Sequence, residues 1–434
     1  MTGNKRPLVS VIMPYYNGRR FVREAIESLL SQTYENIEIA VVNDASPDKE
    51  DSDYIGKLAD EFGFKLIEHL VNEGIGQTMA DAVEASSGDF IAELSQDDLY
   101  KPEKIERQID ELTKNELDAV YTAGDVLYQD SGEVKSRNTA KTKEIIESGA
   151  AAEKLRLQNL PCISIQGLLA KRSVFEKDIV PIWREYLLDD WPVNIRLFER
   201  YKVGFIEDPL WRSRAHGLNT SVNIWKWLGP QIEVAARMAP EHLKAEAVGN
   251  RLSSMARRLY KQRGKRQEIV RLAFAGLMLT ESRQQYTKAT RVLDKIHSGQ
   301  RKAIAGSKAE LIQSILGSPQ QENNQRLSTG MDWKNLGKNI AGIVSAHEGD
   351  RKAHEIGRVF SSLAGNIQAK GGSPSQVIRV ALAALMLMSD RHDEIIAASL
   401  MRSVPVEDRN GLISRKKRIL RVRSRPTLKS IFRV

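Results

Sequence analysis

Apolar and polar positions change their period along this 434-residue chain. Over roughly the first 115 residues, short apolar runs alternate with segments of helical spacing. The runs "LVSVIM", "IEIAVVN", "FKLIEHL" and "DFIAEL" read as strands. Between them, "RRFVREAIESLLSQ" sets Phe21, Ala25, Ile26, Leu29 and Leu30 on one helical face. "DYIGKLADEFG" predicts a helix with Gly63 past its end, and "GQTMADAVEASSG" a helix closed by Gly88. "KPEKIERQIDELTK" predicts one with Pro102 in its first turn. Such alternation implies parallel βαβ units, whose ligands sit beyond the carboxyl ends of the strands. Three polar clusters follow strands onto that edge: "PYYNG", "NDASPD" and "SQDD". From Val120 to Arg214 the period is mixed: "LLAKRSVFEKD" reads as strand then helix, "DDWPVNIRLFERY" as helix, and "VGFIEDPLWRSRAH" as a strand pair broken at Pro209.

Beyond residue 225 the strand signal stops and long helical patterns take over, punctuated by "GSPQQENNQRLSTG". An ungapped shift of 108 residues aligns Trp225-Lys226-x-Leu228-Gly229 with Trp333-Lys334-x-Leu336-Gly337. The same shift pairs Arg271-x-Ala273-x-Ala275 with Arg379-x-Ala381-x-Ala383, and Leu277-Met278-Leu279 with Leu385-Met386-Leu387. One register held over such a span predicts two related helical units, each built round a buried small-residue helix.

Composition adds bounds. The chain is 41% apolar and 28% charged, as soluble globular proteins are. Cys162 is the only cysteine, which excludes intrachain disulfides and Cys-rich zinc sites and points to a reducing compartment. The N-terminal apolar run is too short for a signal peptide. "LAFAGLML" and "VALAALMLM" fall short of the roughly 20 residues a membrane span needs. The formal charge is +9, yet the last twenty residues hold nine Lys/Arg and no acid, so residues 1–414 carry none net. A neutral body with a basic tail suits contact with a polyanionic surface at one place. The tail interleaves its cations with Ile419, Leu420, Val422, Leu428, Ile431, Phe432 and Val434, a pattern suited to anionic lipid. No nucleic-acid recognition module accompanies it.

The candidate chemistry is carboxylate chemistry. Asp44 tips the "NDASPD" cluster, where an acceptor can meet the imide N–H of a base; an N-cap or Asx turn for the following helix is the structural alternative. Asp97-Asp98 offers hard oxygen ligands on a strand-edge loop, suited to Mg²⁺ or Mn²⁺ held jointly with substrate phosphates, or to a cap. Asp189-Asp190 precedes another helix and supplies an acid that folding can bring across a cleft as general base. "NEGIGQTMA" has Gly74-x-Gly76 before a helix but Met79 at the third glycine position, and it follows the third strand, against a dinucleotide loop.

In order and spacing, these pieces resemble the inverting family-2 glycosyltransferases with their GT-A nucleotide-sugar-binding fold, from Val9 to about Ser221. The resemblance is carried by "VSVIMPYYNGRRFVREAIESLLSQTYENIEIAVVNDASPD", "NEGIGQTMADAVEASSGDFIAELSQDD", "LLAKRSVFEK", "LLDDWPVNIRLFER" and "DPLWRSRAHGLNTS". It implies that Pro14 and Tyr16 line the base pocket, that Asp44 pairs with the base, and that Asp97 and Asp98 form the acidic metal motif with Asp98 the direct ligand. It further implies Asp190 as catalytic base beside Asp189, with Arg214 and His216 near the diphosphate. Ser95 stands where many members carry the first acid of Asp-x-Asp, and Met79-Ala80-Asp81 replaces a common Ala-Arg-Asn. No Gln-x-x-Arg-Trp stretch appears, which argues against a processive polymer synthase.

The expectation is therefore a GT-A α/β domain at residues 1–222, then an all-α region with an internal duplication. Its parts are helical units at 223–318 and 333–414, a linker at 319–332 and a basic tail at 415–434. The implied reaction is metal-assisted inverting transfer of a single sugar, from a UDP-sugar before other donors, to a hydroxyl of a surface glycan or lipid-linked oligosaccharide. The implied setting is cytoplasmic, peripheral at the inner membrane face, with oligomerisation open through the helical units. Two rival readings are a non-catalytic scaffold with a degenerate domain and a nucleotidyltransferase. The latter wants a Gly-rich, Lys/Arg-bearing first loop, and "PYYNGRR" is poor in glycine.

Overall fold

The computed structural model describes residues 6–136, 139–157, 163–187, 190–217, 223–281, 291–293, 295–296, 312, 331–348 and 350–412. It divides into two compact units, Met1–Val222 and Asn223–Val434.

The first unit is a mixed sheet with helices on both faces. In chain order it runs β1 (Val9–Tyr15), α1 (Val22–Leu30), β2 (Ile37–Asn43), α2 (Lys49–Phe62), β3 (Lys65–Glu68), α3 (Ile75–Ala85), β4 (Phe90–Glu93), β5 (Leu99–Tyr100) and α4 (Lys104–Lys114). There follow β6 (Ala119–Tyr128), β7 (Val134–Ser136), α5 (Ala140–Glu147), α6 (Ala151–Arg156), β8 (Leu168–Lys171), α7 (Arg172–Val174), α8 (Val180–Glu185), α9 (Asp190–Arg200) and β9 (Val203–Ala215). The strand order is β3-β2-β1-β4-β8-β6-β9-β5, with β7 added to β6. β3, β2, β1 and β4 are parallel, in the register Tyr15↔Asn43 and Ile12↔Glu93. The carboxyl ends of these strands thus share one edge, as the alternation predicts.

Period-two alternation feeds both faces of the sheet. Val9, Val11 and Met13 pack with Ala25, Ile26 and Leu29 of α1 and Leu58 of α2. Ile12 and Val42 point the other way, to Met79, Ala80 and Val83 of α3 and Leu197 of α9. Each large side chain so buried contributes about 1.5–3 kcal/mol, which pins the strand ends that carry the polar clusters. α2 starts earlier than its apolar spacing suggests, because Asp48 caps it by accepting from the Glu50 N–H at 2.9 Å; Gly63 closes it at φ 71°. The expected strand pair around Pro209 is instead one strand, β9. It absorbs the proline at a register shift opposite Ala123, where a missing ladder donor costs least.

The second unit is helical: α10 (Leu228–Met238), α11 (Lys244–Lys261), α12 (Arg266–Leu279), α13 (Trp333–Ala346), α14 (Asp350–Ala369), α15 (Pro374–Leu387) and α16 (Arg391–Arg402). The 108-residue shift carries α12 onto α15 end for end. Contacts between the repeats are reciprocal. A Cβ on Gly229 would lie 2.6 Å from the Ala341 backbone N, and one on Gly337 2.5 Å from Glu233 Cα, so α10 and α13 meet through paired glycines. Arg271 donates to the Met388 carbonyl beyond α15, and Arg379 donates to the Leu279 carbonyl at the end of α12. Both repeats therefore fold as one interlocked body. Among the described residues, no helix is long and apolar enough to cross a membrane. Residues 415–434 lie outside the described residues.

Candidate functional site

Three loops leave the shared edge and brace one another. After β1, Tyr15 turns its hydroxyl inward to Asp51 at 2.8 Å, and Asp51 also accepts from the Arg19 N–H at 2.8 Å. Burial and the Asp51 carboxylate push the Tyr15 phenol well above its ordinary range. That anchorage leaves Pro14 half-buried and Tyr16 exposed at the mouth of the turn. The Gln96 amide clamps Tyr16 from the "SQDD" loop, accepting from its N–H at 2.8 Å and donating to its carbonyl at 2.9 Å.

The two acids of "NDASPD" separate cleanly. Asp48 is the helix cap. Asp44 caps nothing in α2: its N–H bonds the Tyr15 carbonyl at 2.9 Å and its carboxylate faces the loop before α3. There it accepts from the Glu73 N–H at 2.8 Å, the Gly74 N–H at 3.0 Å and His69 Nδ1 at 2.9 Å. Gly74 sits at φ 85° and ψ 158°, a conformation essentially closed to side chains. Gly74→Ala is expected to destabilise the fold by about 1–3 kcal/mol and to displace the amide that holds Asp44, read by denaturant unfolding. Met79 and Ala80 are buried beneath the sheet, whereas Asp81 turns outward to His69.

Neither acid of "SQDD" caps α4, because β5 intervenes and the cap, Glu103, makes no side-chain bond. Asp98 is buried and accepts from the Arg214 N–H at 2.9 Å. The Arg214 guanidinium donates to the Asp97 carbonyl at 2.9 Å, to Gln129 at 2.6 Å and to Glu24 at 2.7 Å. His216 Nε2 donates to Asp97 Oδ2 at 2.9 Å, and the Phe21 ring packs against both basic groups. The structure therefore brings Asp97, Asp98, Arg214 and His216 into one cluster at the end of β9, with Arg214 acting as a strut under the acidic pair.

A short segment before β8 joins this loop to the other acid. The Ile165 N–H donates to Asp190 Oδ1 at 2.7 Å, while the neighbouring Gln166 amide donates to Ser95 Oγ at 2.7 Å. From α4, Gln108 fixes the segment by donating to the Gly167 carbonyl at 2.9 Å, and Gln108 accepts from the buried Lys104 Nζ at 2.8 Å. Burial holds Lys104 well below the usual lysine range, against the pull of the Glu93 charge. Ser95 donates to Glu93 Oε1 at 3.1 Å, which explains a hydroxyl where a second acid would face a buried carboxylate. Asp189 lies outside the described residues. His69, Gln96, Gln108 and Gln166 escaped the reading of the sequence, since their site partners Asp44, Tyr16, Gly167 and Ser95 are 25 to 80 residues away; only His69, next to a strand end, offered a signal.

The donor set can be tested against a divalent cation. Among the described residues no group of three His, Cys, Asp or Glu side chains is arranged to cage a metal. Asp97 and Asp98 place two hard-oxygen carboxylates side by side on one loop, and such a donor set fits an ion shared between one or two carboxylates and substrate phosphates.

Residues 10–178 match the family model described as glycosyl transferase family 2. An uncharacterised glycosyltransferase of Rickettsia felis is 34% identical over 226 residues, covering 50% of this chain and 36% of that protein. One from Rickettsia typhi is 34% identical over 224 residues, covering 50% of this chain and 66% of its own. The chain thus spans between about a third and two thirds of these curated relatives. Among solved structures, S. aureus TarS 1-349 in complex with UDP-GlcNAc is similar, with TM-score 0.48 and 14% identity over 69% of this chain and 92% of that one. The α/β domain of GT-A type and the helical region after it are as the sequence predicts.

Proposed function

The chain belongs, through residues 10–178, to glycosyltransferase family 2, and from that premise we propose inverting transfer of a single sugar from a UDP-sugar to a hydroxyl of a surface glycan or lipid-linked oligosaccharide. The observation that supports this most is the tether between the acids: Ile165 holds Asp190 while the adjacent Gln166 holds the loop of Asp97 and Asp98. A displacement at an anomeric carbon needs a proton acceptor on one side and stabilisation of a departing diphosphate on the other. Asp190 takes the proton of the acceptor hydroxyl as the new C–O bond forms. The bond to the diphosphate breaks on the opposite side, so one displacement inverts the centre. Asp98, with Asp97 beside it, would hold Mg²⁺ or Mn²⁺ there. When bound, such an ion supplies Lewis-acid stabilisation of the leaving diphosphate's charge. Pro14 and Tyr16 frame the base, Asp44 accepts from it, and Asp189 adjoins the proton acceptor. The basic tail at 415–434 suits an anionic membrane surface that presents the acceptor.

The test is a thermal-shift panel of nucleotide sugars with and without Mn²⁺. UDP-sugars with Mn²⁺ are expected to raise the melting temperature of the first unit, since a ligand bound at about 100 Kd stabilises by about 2.7 kcal/mol. Absence of a shift with every nucleotide sugar overturns the reading.

A further inference from the structure

His69 belongs to no motif singled out in the sequence, yet it lies half-buried between Asp44, which the proposed function sets against the donor base, and Asp81. Its ring reaches Asp44 Oδ1 through Nδ1 at 2.9 Å and Asp81 Oδ2 through Nε2 at 3.0 Å. Its own N–H is bonded to the Asn43 carbonyl at 2.9 Å, which fixes the ring beneath the end of β2. Asp81 is held in turn by the Gln77 amide at 2.7 Å, and Arg184 from α8 lies 3.8 Å from it while pairing with Glu84. Only an imidazolium donates from both nitrogens at once. Burial works against that charge, but the bond to Asp44 and the charges of Asp44 and Asp81 outweigh it and lift His69 above the ordinary imidazole range.

The consequence concerns how many acceptor directions Asp44 has left. A carboxylate offers about four lone-pair directions, two on each oxygen. On Asp44, Oδ1 receives both His69 and the Glu73 N–H, and Oδ2 receives the Gly74 N–H. Among the described residues, one direction, on Oδ2, remains. Uracil presents a single imide N–H flanked by carbonyls. Guanine presents two parallel donors, a ring N–H and an amino group, which call for both oxygens of a carboxylate. We propose that His69 is a positioning residue that saturates one oxygen of Asp44, so that the pocket accepts a base with one imide N–H and refuses guanine. This rests on the reading that Asp44 meets the donor base.

The experiment measures UDP and GDP binding to the full chain by calorimetry, across about pH 6–9, the range in which histidine titrates, for the unsubstituted chain, His69→Phe and His69→Asn. In His69→Phe, which keeps the ring and removes both donors, UDP binding is expected to weaken by about tenfold, with the UDP-to-GDP ratio falling with it. His69→Asn places an amide donor near the Nδ1 position, and it is expected to recover most of the UDP affinity. The unsubstituted chain is expected to bind UDP less well as pH rises and the imidazolium is lost, and this slope is expected to vanish in His69→Asn. A folded His69→Phe with unchanged affinity and ratio overturns the proposal. If His69→Phe does not fold, a pH slope retained in His69→Asn overturns it. Failure of the unsubstituted chain to bind either nucleotide overturns the nucleotide reading itself and the proposal with it, whereas binding that ignores His69 overturns the proposal alone.

Discussion

Asp190→Asn is expected to leave donor binding unchanged and to lower sugar transfer by about 10²–10⁴-fold, the usual consequence of removing a general base. Asparagine is chosen because its carbonyl still accepts from the Ile165 N–H, the contact that now ends on Asp190 Oδ1 at 2.7 Å. The main-chain carbonyl of Asp190, which accepts from the Asn194 amide at 2.5 Å, is untouched. Geometry is therefore preserved, and what disappears is the capacity to take a proton from the incoming hydroxyl. The measurement pairs calorimetric titration of the nucleotide donor with the transfer rate at saturating donor. Unchanged Kd with collapsed kcat identifies a base. A rate within about threefold of the parent would move proton acceptance to another residue. Loss of donor binding would instead make Asp190 a structural link to the Ile165 segment.

Much of the α/β unit was legible because its information is local. Alternation in "LVSVIM" and "IEIAVVN" sets which side chains enter the core, and a parallel sheet then forces the following polar clusters onto one edge. The duplication was legible because register is preserved in the letters themselves, and the reciprocal Gly229 and Gly337 contacts show what it preserves. What sequence left open was which of two readings each acid takes. Asp44 and Asp48 lie in the same cluster and both suit an N-cap, but only Asp48 is placed at the start of α2. Asp97 and Asp98 looked able to cap α4, until a two-residue strand, too short for any periodic signal, moved the helix start past them. Polar cross-links such as Gln96 to Tyr16 and Gln166 to Ser95 were illegible for a different reason. An amide satisfies almost any partner within reach, so its identity says little until the chain has folded.

Asp98→Asn separates the acid's charge from its architectural role. In the folded chain Asp98 is buried and accepts from the Arg214 N–H, and an asparagine carbonyl does this equally well. Arg214 keeps its bonds to the Asp97 carbonyl, Gln129 and Glu24, so the strut beneath the loop remains. The substitution removes one negative charge and one anionic oxygen from the place where a divalent ion and a diphosphate would share ligands. Two effects are expected together. Stabilisation by a UDP-sugar should lose its dependence on Mn²⁺, measured as melting temperature with and without the ion. Transfer should fall by about 10²–10³-fold, since several kcal/mol of leaving-group stabilisation go with the ion and each 1.36 kcal/mol is tenfold. The Arg214 guanidinium, bonded to the Asp97 carbonyl, carries a positive charge at the same loop, which is why the first measurement matters more than the second. If Asp98→Asn retains the full Mn²⁺ increment, the ion sits elsewhere and the acidic pair serves to hold the β9 end in place. If the parent shows no increment while still transferring sugar, charge on the leaving group is met without a divalent ion.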